Sequence, residues 1–302
     1  MPRQLRFGLV TPQLVAWPAM VERWQTAEQA GFDSVWVVDH FVNPTMPAGR
    51  WFEGWTMLAA LAARTDRVRL GALVTSISFR NPAVLAKEAL TVDHISGGRL
   101  ELGLGAGGQV NDNTMTGSEP WPPAERVERF GEFVEVVDAL LRGEGPVTFD
   151  GRYYRVQDAI MTPGPVQRPR PPITIGAGGT RMLRIAARFA DTLNTSAGGF
   201  GRHATRPTSE EAVANVRQRN EKLDQFCADL GRDPASLSRS LLAGGGANPD
   251  DPWVSAEAFR DFVGRYQSAG IDEFLFYYPS RLELGYETFE RITREVIPAL
   301  KQ

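Results

Sequence analysis

Eight times along this chain a short run of β-branched and aliphatic residues gives way to a longer run with apolar residues at helical spacing, and this alternation limits the fold more than any other feature. The strand-like runs cover 5–11 (LRFGLVT), 34–39, 68–75 (VRLGALVT), 99–105 (RLELGLG), 173–176, 191–195, 237–243 and 272–277 (DEFLFY). The helical period shows directly. Val127, Phe130, Val134, Val137 and Leu141 share one face, as do Tyr286, Phe289, Ile292 and Val296. Pro18 and Gly31 bracket the first helix, and Ser96-Gly97-Gly98 stops the third. Eight strand–helix units in 302 residues, with no Pro/Ser-rich linker between them, predict a single (β/α)8 barrel domain spanning 1–302.

An open, doubly wound sheet is the competing architecture, and GLGAGG at 103–108 is its one argument, because it matches G-x-G-x-x-G after a strand. That fingerprint requires a helix opening on its last glycine. Here QVNDNTMTGSEPWPP follows and reads as a polar loop, so the dinucleotide reading is rejected.

Charge and composition remove several classes of function. The formal net charge of -3, with acidic and basic residues mixed along the chain, offers no basic stripe for nucleic acid. No run of 18 uncharged apolar residues occurs, and the amino terminus carries no signal-like apolar stretch, so the expectation is a soluble, cytoplasmic protein without membrane association. Cys227 is the only cysteine and stands far from any histidine in sequence, which favours a buried bystander over a nucleophile. No metal site is expected.

A barrel puts its chemistry at the carboxyl ends of its strands. The run SVWVVDH, 34–40, is apolar until it ends on Asp39 and His40, which makes both candidate catalytic residues. The plain alternative for His40 is a strand-end imidazole satisfied by a nearby carbonyl. In that case water, or a carboxylate such as Asp39 or Glu53, would carry the proton. Of the other two histidines, His94 lies near a helix end and His203 in a Gly/Arg-rich loop, both structural or solvated settings. ITIGAGGT, 173–180, runs a strand through glycines into a helix, so Gly176, Ala177, Gly178, Gly179 and Thr180 offer free backbone amides suited to a phosphate. Ala106-Gly107-Gly108 ends another strand with bare backbone that a flat ligand could approach.

Taken in order, GFDSVWVVDH, RVRLGALVTSISFRNPAVLAKEALTVDHISGGRLELGLGAG, PPAERVERFGEFVEVVDALL, DGRYYRV and RPPITIGAGGTRMLRIAARFADTLN resemble the luciferase-like flavin and deazaflavin oxidoreductases, from residue 5 to about 196, with a weaker return at AGIDEFLFYYP. The resemblance implies a (β/α)8 barrel, a homodimer, and reduced FMN or coenzyme F420 bound at the strand ends. The Asp39-His40 ending is similar to the deazaflavin branch, in which the histidine lies beside the ring and moves protons. The same branch implies a strand bulge with a cis peptide at Leu73–Val74, and cofactor contacts from Leu73, Val74, Thr75, Ala106, Gly107 and Asn111 as well as the 176–180 turn.

The chain departs from the sugar-phosphate dehydrogenases of that family at Gly108, where they carry glutamate, and near Pro44, where they carry tryptophan. Trp17, Trp51, Phe52, Trp55 and Trp121 follow strands and suit an apolar or planar substrate, or packing over the rim. Three functions are therefore expected in order: hydride transfer between F420 and a small apolar carbonyl, alcohol or activated alkene; an FMN-dependent monooxygenase using oxygen; and a non-catalytic cofactor-binding protein. The glycines of 198–207 and its place after the sixth strand permit a lid or a disordered excursion, and the sequence leaves both open.

Overall fold

A computed structural model describes residues 3–198, 207–243, 250–279 and 282–302. The segment 198–207, left open between lid and excursion, falls almost wholly outside them. The elements are β1 (Arg6–Val10), α1 (Trp17–Gln29), β2 (Ser34–Val37), α2 (Gly54–Ala62), β3 (Arg69–Ala72), β4 (Thr75–Ser76), α3 (Pro82–Ile95), β5 (Leu100–Gly105), α4 (Val110–Thr114) and α5 (Pro123–Arg142). There follow β6 (Val147–Asp150), β7 (Arg155–Ala159), β8 (Ile173–Gly176), α6 (Thr180–Phe189), β9 (Thr192–Thr195), α7 (Ser209–Asp229), β10 (Ser238–Ala243), α8 (Ala256–Gln267), β11 (Glu273–Tyr277), α9 (Leu282–Arg291) and α10 (Ile297–Leu300).

The strands hydrogen-bond in the order β3-β2-β1-β11-β10-β9-β8-β5-β4, and an added β3–β5 pairing closes the ring. The protein is thus a closed, eight-stranded parallel (β/α)8 barrel, as the alternation predicts. β4 is the resumption of the third strand after a break, since the peptide bond Leu73–Val74 is cis. The stop signals act as read: Gly31 at φ +80° follows α1, and Gly97 at φ +64° follows α3. Asn81 caps α3 by accepting from the amides of Ala83 (2.9 Å) and Val84 (3.2 Å), with Pro82 at the first helical position.

Two elements differ from expectation. β6 and β7 form an antiparallel hairpin outside the barrel order, whose half-exposed faces bury too little apolar surface to stand out in sequence. The polar stretch after Gly108 is not all loop, because Val110–Thr114 winds into the short helix α4.

The chain groups into two compact units. One comprises Gln13–Val21 and Val37–Gly176. Its core joins Leu70, Leu100, Leu102 and Leu104 of the strands to Leu85, Leu90, Phe130, Phe133, Val137 and Leu140 of α3 and α5, all at most 1% exposed. The other comprises Met1–Pro12, Glu22–Trp36 and Ala177–Gln302, and its core is aromatic. Phe7 stacks on Phe274 at 5.8 Å, and Phe276 lies 5.0 Å from Phe259 and 5.3 Å from Trp253. Cys227 is buried there as a free thiol.

Candidate active site

Beyond β2 the chain leaves the sheet and places two titratable side chains in opposite settings. Asp39 is 1% exposed. Its Oδ2 accepts from Arg80 Nε at 2.8 Å and from the Ser76 amide at 3.1 Å, while Oδ1 accepts from Arg80 NH2 at 2.6 Å. This is a bidentate, nearly dry ion pair. Arg80 NH2 also donates to Glu53 Oε1 at 2.6 Å, and Glu53 caps α2 by accepting from the amides of Trp55 (3.0 Å) and Thr56 (2.6 Å). Burial pushes the Asp39 carboxyl above the usual carboxylate range, with Arg80 pulling against it. Burial pulls Arg80 down, yet the bonds and charges of Asp39 and Glu53 outweigh it and hold the guanidinium charged. Gly54 lets α2 approach this pair, since a Cβ there would lie 2.8 Å from Asp39 Oδ1.

His40, one residue on, keeps part of its ring in the open, with 25% of its side chain exposed. Its Nδ1 lies 2.9 Å from Asp112 Oδ2, and Asp112 Oδ1 accepts from the Phe41 amide at 2.9 Å. Trp51 donates its indole N–H to the His40 carbonyl at 2.8 Å and packs against the imidazole at 6.3 Å between centroids.

The neighbouring strand ends are shaped by missing side chains. Val74 sits where a Cβ on Gly105 would collide with it, and a Cβ on Gly176 would come within 3.3 Å of its Cγ1. Gly107, at φ +73°, has its Cα against Ser78, whose hydroxyl oxygen is buried without a hydrogen-bond partner. A Cβ on Gly108 would lie 2.9 Å from Arg126 NH1, so that guanidinium occupies the space beside the glycine. Thr75 is buried and receives the Trp55 indole N–H at 3.2 Å, and Asn111 lies half-exposed on α4.

In the other unit, Gly179 precedes α6 without any side-chain cap, leaving the first amides of the helix open. Two cations approach this turn from α7. Arg219 Nε is 4.0 Å from where a Cβ on Gly178 would stand, and Lys222 Nζ donates to Thr180 Oγ1 at 3.2 Å. Arg219 donates to Thr195 Oγ1 at 3.1 Å and to the Ser196 carbonyl, and burial alone lowers its pKa.

The expected residues thus fall into separate groups: Asp39 with Glu53 around Arg80, His40 on Asp112, Leu73–Val74 against Gly105 and Gly176, Gly107 against Ser78, and 178–180 beneath Arg219 and Lys222. Three partners carry no mark in the sequence. Asp112 stands in a stretch that reads as loop, and Arg80 and Arg219 reach these groups only through tertiary packing. The loop aromatics divide as well: Trp51 contacts His40, Trp55 is buried, and Trp121 lies under Arg129, 4.5 Å from its guanidinium carbon. His94 turns away from these groups and bonds through Nε2 to the Gly164 carbonyl at 2.8 Å, in the structural setting expected for it. Among the described residues no cluster of histidine, cysteine and carboxylates suits a metal ion, and no helix is long and apolar enough to cross a membrane.

The fold is a closed parallel barrel that carries a histidine and bare glycines just past its strand ends. The chain belongs to the luciferase-like monooxygenase family, whose model matches residues 3–282. It is 34% identical over 232 residues to an F420-dependent glucose-6-phosphate dehydrogenase of Intrasporangium calvum, covering 74% of this chain and 68% of that one. It is also 32% identical over 256 residues to a phthiodiolone/phenolphthiodiolone dimycocerosates ketoreductase of a Mycobacterium species, covering 76% and 62%. Coverage of a second dehydrogenase, from Microbacterium testaceum, is 50% of that protein, so the match spans between half and about two thirds of these relatives. Among solved structures, an F420-dependent secondary alcohol dehydrogenase bound to an F420–acetone adduct superposes with a TM-score of 0.82 at 21% identity, covering 99% of this chain and all of that one. A long-chain alkane monooxygenase superposes at 0.76 with 14% identity, covering 100% and 92%. These likenesses confirm the fold.

Proposed function

We propose that the protein is an F420-dependent oxidoreductase that passes a hydride between the coenzyme and a small, apolar carbonyl, alcohol or activated alkene. The observation that carries this reading is the half-open His40 imidazole just past β2, in the same compact unit as the glycine-lined ends of β5 and β8. The relatives named for F420 and for ketone reduction support it. The residues fit such a group, because the cradle at Gly107 leaves the buried Ser78 hydroxyl in want of a partner. Bound at the strand ends, F420 would supply a two-electron hydride carrier.

Residues 73–75 and 106–107 would hold its ring, with Asn111 beside them; in the other unit the amides of 178–180, with Arg219 and Lys222, suit a phosphate, whereas the expected Ala177 amide is already donated to the Asn194 carbonyl at 2.9 Å. His40 exchanges the proton that accompanies the hydride. Asp39 and Glu53, with their oxygens engaged by Arg80 and backbone amides, position the loop rather than carry protons. Gly108, where the resemblance places a glutamate in the sugar-phosphate dehydrogenases, argues against a sugar phosphate handled as in those enzymes. Exposed Phe41, Val110 and Met115 on the segments around His40 and Asp112 favour an apolar substrate. A homodimer in the cytoplasm completes the reading.

Equilibrium titration of the purified chain with F420 and with FMN, followed by oxygen uptake, tests this. F420 should bind more tightly and substrate should reduce it without oxygen consumption. Preferential FMN binding with oxygen uptake would instead establish the monooxygenase. The phosphate assignment has its own check. Gly178→Asp adds bulk and a like charge at the open turn, and should weaken F420 binding at least tenfold, about 1.4 kcal/mol, in a folded protein. Unchanged affinity removes the assignment.

A further inference from the structure

The two nitrogens of the His40 ring have different surroundings. Nδ1 faces Asp112 Oδ2 at 2.9 Å, and Asp112 is 1% exposed. The other oxygen of that carboxylate is occupied by the Phe41 amide, so Asp112, carried on α4, is held by both its oxygens to the loop after β2. A carboxylate only accepts hydrogen bonds, so Nδ1 must carry the ring proton and Nε2 keeps a lone pair while the imidazole is neutral. No other charged group is bonded to the ring among the described residues. The adjacent Asp39 is turned to Arg80, and the Trp51 indole packed on the imidazole is uncharged.

We infer that Asp112 is a positioning residue for proton exchange, fixing the tautomer and orientation of His40 so that Nε2 is the exchanging atom. The inference rests on the hydride-transfer reading above. In alcohol oxidation the substrate O–H bond breaks and its proton passes to Nε2, while the carbinol hydride leaves to the coenzyme. Carbonyl reduction runs the same transfers backwards.

Asp112→Asn separates this role from a structural one. The amide oxygen can still receive the Phe41 N–H, which leaves the NH2 facing Nδ1. A donor there places the ring proton on Nε2, the wrong tautomer for a base. Alcohol oxidation should fall about 100-fold or more in kcat, with F420 affinity held within about tenfold. Asp112→Glu should recover part of the rate, since it restores an acceptor for Nδ1. Nitrogen-15 NMR of the cofactor-free protein gives a readout independent of turnover, because the chain has three histidines and His40→Ala identifies the signal. The parent should show protonated Nδ1 and bare Nε2, reversed in Asp112→Asn. A parent ring protonated at Nε2, or an Asp112→Asn enzyme with the parent rate, overturns the inference. If F420 is not turned over at all, the cofactor reading fails while the NMR result still decides the role of Asp112.

Discussion

Replacement of His40 by alanine is expected to lower turnover with F420 by roughly 10²–10⁴-fold, the usual cost of losing a positioned proton carrier. Coenzyme affinity should change by less than about tenfold, since one neutral hydrogen bond is worth roughly 1 kcal/mol. The asymmetry between the two effects is the point of the measurement. Steady-state rates beside a fluorescence titration of the coenzyme would show it. Asparagine should not restore the rate, because an amide can hydrogen-bond but cannot exchange a proton near neutral pH. The ionisation in the parent rate profile should vanish in both variants. Parent-like turnover by His40→Ala would make His40 a packing residue beside Trp51 and return proton exchange to water or to a carboxylate such as Asp39 or Glu53.

The largest effect on stability is expected at Arg80, whose side chain is 10% exposed. Arg80→Met leaves the Asp39 carboxylate buried without its cation, which should cost about 3–5 kcal/mol in denaturant unfolding. The pH dependence has a definite sign. Burial already raises the folded-state pKa of Asp39 above its ordinary 3.8, and without Arg80 nothing comparable opposes it. Such a group binds its proton more tightly in the folded chain, so the variant is least impaired below about pH 4 and loses stability as pH rises through the raised value. Asp39→Leu in the same chain should recover much of the loss by removing the stranded charge. A deficit under about 1 kcal/mol, or one independent of pH, would show that the pair does not anchor the loop after β2.

Much of the architecture is legible in the sequence because it depends on local periodicity. Strand interiors in a closed parallel barrel are covered on both sides, so SVWV and LELGLG read as unbroken apolar runs, and the helices between them keep a 3.6 period. Strand ends follow from those runs, which is why His40, Gly107 and the 176–180 turn stand out in the sequence alone. The cis bond at Leu73–Val74 is legible in another way, through family resemblance, because no local pattern marks it. The β6–β7 hairpin is hardly legible, because VTFD alternates over only four residues and RVQDA does not alternate regularly.

What the sequence by itself determined was thus the barrel, its strand ends and the residue types available there. Tertiary structure decided which of those residues act together. Asp39 and His40 are neighbours in the chain, yet one turns to Arg80, 41 residues on, and the other to Asp112, 72 residues on. Both partners arrive on segments that follow other strands, Arg80 after β4 and Asp112 after β5. The physical reason is that charge pairing, tautomer and desolvation depend on distances of a few ångströms between segments remote in sequence, whereas hydrophobic periodicity is written within each segment.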